Sequence, residues 1–366
     1  MSKVLWLFNH PAPYKIDFFN QLGKSIDLTA VFERVSEGDR SKEFYYEKAK
    51  NFKEIILSSL RLGNYNNYSN GVIPFLKKEH YDLIVVNGWS TLTEMKTIRY
   101  LKHHKIPYIF AINGGIAKDN EPGWKKRLKQ KYLPGAQLYL SPDPYSSSYL
   151  TYYGVDPKKI RLYPYSTIFA SEIQPNSLSA EEKKVLREKE HIPGTELYLS
   201  VGSFIPRKND DQLLRLWTKM PHNKTLMLVG DGPEKANYER FIQEHHLDNV
   251  FLSPFKPHNE ILRYFRMADA SIFLTKEDIY GHVVNECLSQ GTPVIASENA
   301  NSARHLIKEG VNGYLVSLLD ESSIIDAINK PLTPNMGVAA IKTAQENTIE
   351  RMSEAHLAIF KEALKQ

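Results

Sequence analysis

Cysteine is almost missing: Cys287 stands alone in 366 residues. One thiol excludes an internal disulfide and suits a reducing compartment. It has no ligand partners at a zinc spacing, so packing inside a helix is its expected role. Long hydrophobic runs are missing too. The opening "VLWLF" is far short of the roughly 18 residues of a membrane span, and it lacks the charged start and cleavage pattern of a signal peptide. A cytoplasmic chain is expected. Asp-x-Asp occurs nowhere, which removes the simplest metal-chelating pair, and no metal or other cofactor is expected. No Gly-x-Gly-x-x-Gly follows the first apolar run, which argues against a dinucleotide-dependent dehydrogenase. Helix-turn-helix, zinc-finger and RNP patterns are likewise absent, so nucleic acid is not an expected partner.

What is present fits a two-domain globular protein: 42% hydrophobic and 24% charged residues over 366 positions. The net charge of +5 is unevenly spread. Residues 1–170 hold 25 Lys/Arg against 15 Asp/Glu, and residues 171–366 hold 22 against 27. The densest basic stretch is "GWKKRLKQKYL", Gly123–Leu133. Trp124, Leu128 and Tyr132 recur every four residues and would share one helix face, with Lys125, Lys126, Arg127, Lys129 and Lys131 around them. Either the apolar stripe packs and the cations are solvated, or the helix meets an anionic membrane, where each cation adds about 1 kcal/mol.

The chain alternates short apolar runs with helical patterns. Strands are predicted at 3–9, 28–34, 81–88, 107–114, 136–142 and 160–166, then at 196–204, 225–232, 249–255, 270–275, 293–297 and 314–316. Near-continuous apolar strands joined by helices imply parallel sheets covered on both faces. The prediction is α/β: two doubly wound domains facing each other across a cleft. The boundary falls in the polar stretch Phe169–Lys184, where Ser179 and Glu182 form a helix-start pair. This divides the chain into 1–172, 173–345 and a closing helical tail at 346–366 that packs back on the first domain. Region 39–70 has many Tyr and Asn and no clean period, and reads as a long functional or mobile segment.

In such sheets ligands bind beyond the carboxyl ends of the strands, and several motifs sit there. After 270–275 come Asp278, Tyr280 and Gly281, then a helix through His282 and Val283 to Gly291, with Glu286 on its second turn. Backbone N–H groups at 281–284 would form an anion site. Glu286 would accept hydrogen bonds from ribose hydroxyls, and Asp278 from a sugar. The end of 196–204 carries Ser203, and beyond it come Arg207 and Lys208, cations suited to a departing diphosphate. Gly230 and Gly232 make a tight turn after 225–232. Phe255 and Lys256 follow 249–255, where a base could stack. In the first half His10, Tyr14 and Lys15 follow the first strand, and Asn113 and Gly114 follow the fourth. These are candidate acceptor-side residues.

This series, in this order, resembles the retaining glycosyltransferases of family 4 (group 1), which have the GT-B fold. The marker is an acidic pair with seven residues between, here Asp278 and Glu286, then Gly291-Thr292-Pro293-Val294. The lysine of the family's phosphate motif falls on Lys208, and its "GDGP" turn on Gly230–Pro233. The resemblance is specific over about 179–316. It is weaker before that, although "FNHPAPYKIDFFNQL" (8–22) is similar to the family's acceptor-facing loop. There are departures. Asp278 replaces the usual Glu, Ser203 the usual Arg, and His305 an acid; no His stands near Asn113-Gly114-Gly115.

The resemblance implies sugar transfer from a nucleotide-diphosphate sugar, UDP-linked on base rates, to a saccharide or lipid-linked saccharide. The setting would be bacterial-type polysaccharide or glycoconjugate assembly, without a metal. Lys208, Asp278 and Glu286 would carry the chemistry. The basic first half would suit the inner membrane face. Two alternatives stay open: a GT-B sugar-nucleotide epimerase, and a non-catalytic nucleotide-binding partner subunit of a transferase.

Overall fold

Alternating buried runs and amphipathic helices give two parallel sheets in the computed structural model, which describes residues 1–35, 48–58, 60–62, 66–69, 72–193 and 195–365. The chain divides into one unit of Met1–Thr167 with Thr348–Gln366 and another of Ile168–Asn347.

The first unit holds strands β1 (Lys3–Phe8), β2 (Asp27–Phe32) and β3 (Lys53–Ile56). A small antiparallel pair, β4 (Leu60–Leu62) and β5 (Asn66–Tyr68), follows. Strands β6 (Leu83–Asn87), β7 (Ile109–Ala111), β8 (Leu138–Ser141) and β9 (Ile160–Leu162) complete the unit. Seven of these form one parallel sheet in the order β3-β2-β1-β6-β7-β8-β9. Its helices are α1 (Pro13–Leu22), α2 (Val72–Lys78), α3 (Leu92–His103), α4 (Gly123–Tyr132) and α5 (Pro144–Tyr152). Central strand β1 is buried along nearly all its length, as a strand covered on both faces should be. Edge strand β3 reads Lys-Glu-Ile-Ile and is mostly exposed. Its half-polar pattern hid it from the sequence reading. Of the segment 39–70, residues 39–47, 59, 63–65 and 70 lie outside the described residues.

The second unit holds β10 (Glu196–Val201), β11 (Lys224–Val229), β12 (Val250–Ser253), β13 (Ala270–Phe273), β14 (Val294–Ser297) and β15 (Gly313–Val316). They form a parallel sheet in the order β12-β11-β10-β13-β14-β15. The helices are α6 (Ala180–Lys189), α7 (Asp210–Trp217), α8 (Lys235–Glu244), α9 (His258–Met267), α10 (Val283–Ser289), α11 (Asn301–Leu306), α12 (Glu321–Asn329) and α13 (Pro334–Gln345). Helix α6 starts at the predicted cap: Ser179 accepts from the Glu182 N–H while Glu182 accepts from the Ser179 N–H. Lys183 and Arg187 anchor α6 by donating to the Ala268 and Met267 carbonyls, and Arg187 also pairs with Asp269 at 2.8 Å.

The last helix, α14 (Ile349–Ala363), belongs to the first unit and packs on α1. His356 sits among Phe18, Tyr163 and Trp6, with ring centroids 4.7, 4.5 and 5.6 Å away. No helix among the described residues is long and apolar enough to cross a membrane.

Candidate functional site

The chain adds β11 and β12 on one side of β10, then crosses back to lay β13 on the other. Strands β10 and β13 therefore flank the reversal of direction, the place where open parallel α/β sheets take their ligands. Ser203, Arg207 and Lys208 lie on the loop after β10, and Asp278 on the loop after β13.

These side chains meet. Lys208 Nζ donates to Asp278 Oδ2 at 2.8 Å, and Arg207 donates to the same oxygen at 3.1 Å and to the Glu277 carbonyl at 2.6 Å. The Asp278 side chain is only 12% exposed. Burial works against its charge, but Lys208 and Arg207, by charge and hydrogen bonding together, outweigh burial and hold its carboxyl below the usual range. Lys208 also lies 4.6 Å over the Phe273 ring. The two loops are tied elsewhere as well. The Thr275 hydroxyl donates to the Arg207 and Glu277 carbonyls, and the Lys276 N–H donates to the Arg207 carbonyl. Asp278 is pinned by its N–H on the Asn299 carbonyl and its carbonyl on the Asn301 N–H.

Gly230 and Gly232 serve this arrangement. A Cβ on Gly230 would collide with the Gly202 carbonyl, and one on Gly232 with the Phe204 backbone. The glycines let the β11 loop press against the β10 loop, where the Phe204 N–H donates to the Asp231 carbonyl at 2.8 Å. Ser203 is exposed at the crest of that loop.

Helix α10 differs from expectation. Gly281, at φ 93°, stands before the helix; His282 is its cap and Val283 its first residue. A Cβ on Gly281 would press on Phe273 at 2.9 Å. Glu286 therefore closes the first turn rather than lying on the second, and it is half-buried. His282 and Val283 are half-buried, Tyr280 is buried, and the Tyr280 and His282 rings are 5.1 Å apart. Cys287 is buried in α10, its thiol donating to the Thr292 carbonyl. After β12, Phe255 is 53% exposed, and Lys256 pairs with Glu260 at 3.4 Å.

The first-unit candidates are less open. His10 is buried and Tyr14 half-buried, the latter edge-on to Tyr165 at 6.3 Å. Lys15 is 1% exposed, with its amine 5.0 Å from the Phe8 and Tyr165 rings and 5.5 Å from Phe18. Burial lowers that amine to about 7. Asn113 and Gly114 are half-buried beyond β7, and Asn113 Oδ1 is buried without a hydrogen bond.

Three features escaped the sequence reading. Asp210, beside Lys208 in sequence, is buried, accepts from the Ser200 hydroxyl at 2.8 Å and is raised by burial to about 6. Its place in an Asp-Asp pair at a helix start is the one signal the sequence offers for it. Thr275 gave no signal at all. In the first unit, Glu33 and Glu94 are buried together around Thr91. The Thr91 hydroxyl donates to Glu33 at 2.7 Å and the Thr91 N–H to Glu94 at 2.9 Å. Burial raises Glu33, and the Glu94 charge raises it further.

Among the described residues, no group of three His, Cys, Asp or Glu side chains could hold a metal. Cationic side chains beside a switch-point crevice can instead neutralise an anionic ligand.

Comparison with known proteins agrees with this fold. Residues 182–348 match the family described as glycosyl transferases group 1. A D-inositol 3-phosphate glycosyltransferase of Thermobifida fusca is 23% identical over 308 residues, 78% of this chain and 69% of the relative. The fold is similar to that of a sucrose-phosphate synthase from Thermosynechococcus elongatus, at a TM-score of 0.78 and 17% identity over the whole of both chains. It is also similar to Anabaena HepE in complex with UDP and glucose, at a TM-score of 0.74 and 15% identity over 99% of this chain and 100% of that one. These are GT-B neighbours: two Rossmann-like domains, each with a parallel sheet.

Proposed function

We propose that this chain, whose residues 182–348 match the glycosyl transferases group 1, is a glycosyltransferase that moves a sugar from a nucleotide-diphosphate sugar to a saccharide or lipid-linked saccharide, with retention. The observation that carries this reading is the pair of cations, Lys208 and Arg207, gathered beside the switch point of the second sheet.

Breaking the bond between the anomeric carbon and the phosphate oxygen leaves a diphosphate. Lys208 and Arg207 stabilise the growing charge, taking the part a metal plays in other transferases. N–H groups at Gly281–Val283 precede the helical ladder of α10 and serve the same anion. The acceptor hydroxyl forms the new carbon–oxygen bond on the leaving-group face, and its proton passes to the departing phosphate. No side-chain base is required. Glu286 binds the ribose hydroxyls, Phe255 stacks on the base with Lys256 beside it, and Asp278 faces the transferred sugar. UDP is the favoured nucleotide, as in the HepE complex.

His10, Tyr14, Lys15, Asn113 and Gly114 belong to the unit that we assign to the acceptor, with the buried Lys15 shaping the loop from within. That unit also carries helix α4, where no residue is buried and Trp124 is 62% exposed among Lys125, Lys126 and Arg127. We read this helix as the contact with an anionic membrane face, which would bring a lipid-linked acceptor to the enzyme.

The test is a thermal-shift panel of UDP-, GDP-, ADP- and dTDP-sugars, then transfer assays of Lys208→Ala and Glu286→Ala with EDTA present. One donor should stabilise the protein, Lys208→Ala should lose at least ~100-fold in turnover, the scale of one charge-stabilising group, and Glu286→Ala should nearly abolish transfer through loss of the ribose contact. Near-wild-type turnover in either variant would overturn the site assignment.

A further inference from the structure

The Lys208–Arg207–Asp278 cluster has a second consequence, which rests on the donor-site reading above. Both cations meet one oxygen of one carboxylate, at 2.8 and 3.1 Å. That carboxylate is nearly buried, its backbone is pinned on both sides to Asn299 and Asn301, and its other oxygen accepts from the Tyr280 N–H at 3.3 Å. Lys208 is itself only 15% exposed. Asp278 therefore has no room to withdraw and leave the cations to a ligand. An anion that reaches Lys208 meets a negative charge already in contact with it.

We propose that Asp278 is a resident counter-ion of the anion site, a positioning residue that aligns both cations and weakens their hold on a nucleoside diphosphate. The charge arithmetic favours this. Two cations against a diphosphate would make a tight product complex, because charge-assisted contacts in a half-buried site are the strong ones. A fixed carboxylate leaves one net positive charge, enough to favour charge developing on the leaving group and too little to retain the free product. Asp278 reaches the cations from a backbone locked against Ala300.

The experiment measures binding of free UDP, GDP, ADP and dTDP by calorimetry to wild type, Asp278→Asn and Asp278→Glu, at low and high salt. Unliganded melting shows that each variant is folded. The nucleotide that wild type binds should bind Asp278→Asn at least ~10-fold tighter, as removal of a like charge in contact with the site implies. Its affinity should also fall more steeply with salt. Asp278→Glu, which keeps the charge, should stay within about threefold of wild type. If Asp278→Asn does not fold, Asp278→Ser carries the same prediction. Equal or weaker diphosphate binding by the neutral variant overturns the counter-ion role. So does a loss confined to the sugar nucleotide, which would make Asp278 a sugar contact alone. A wild type that binds none of the four overturns the donor-site reading itself, and the inference with it.

Discussion

Replacing Lys15 by methionine should make the protein more stable, and the gain should depend on pH. The Lys15 amine is enclosed by Trp6, Phe8, Phe18 and Tyr165. Burial takes its pKa from 10.5 down to about 7. The unfolded chain therefore binds one more proton than the folded chain between those values, and stability rises with pH across that window. At about 1.4 kcal/mol per pH unit, the charged amine costs the fold about 5 kcal/mol at neutral pH and below. Methionine has similar length and flexibility and carries no charge. Lys15→Met should gain several kcal/mol at pH 6 to 7. That advantage should shrink by about 1.4 kcal/mol for each pH unit from 7 to 9. His356, which faces the amine, is held neutral by burial, at about 3, and does not titrate in this window. Urea unfolding of both proteins at pH 6, 7, 8 and 9 gives the difference directly. A gain that does not vary with pH, or a methionine variant less stable than wild type, would refute the reasoning. It would mean that attraction to the four rings keeps the ammonium charged.

The remaining predictions use other parts of the molecule. Asp210→Asn should stabilise the second unit at pH 7 to 8 and not at pH 4. Its carboxyl, raised from 3.8 to about 6 by burial, contributes stability below 3.8 that is lost as pH rises through 6, about 3 kcal/mol at most. Denaturant unfolding at the two pH values checks the sign. Wild type should sediment with vesicles containing anionic phosphatidylglycerol and not with neutral phosphatidylcholine. Trp124→Ala combined with Lys125→Glu and Lys126→Glu should lose that binding while keeping the melting temperature; undiminished sedimentation of the triple variant would remove α4 from the interface.

Much of the molecule was legible in the sequence because its signals are local. Buried parallel strands read as apolar runs, so all twelve predicted strands are present, from β1 to β15. The α6 capping box needed only Ser179 and Glu182 three residues apart. Edge strand β3 was hidden, because a strand that is half solvated has no apolar run to show, and the three-residue strands β4 and β5 are too short to carry a period. Helix α10 starts later than predicted because the φ of 93° at Gly281 excludes it from the helix. The buried Glu33 and Glu94 could not be foreseen, since 60 residues of chain separate two groups that are brought together around Thr91.

The sequence alone determined the buried strands, the order of the loops at their ends and the kinds of charge on each loop. Those follow from periodicity and from residue type, which a chain carries with it. Tertiary structure decided what the charges do. Lys208 and Asp278 are 70 residues apart, and only the crossover from β12 back to β13 sets their loops side by side. Once there, burial strengthens the attraction between them, and Asp278 becomes a partner of the cations. The same crossover that makes the switch point thus supplies the carboxylate that already pairs with its cations.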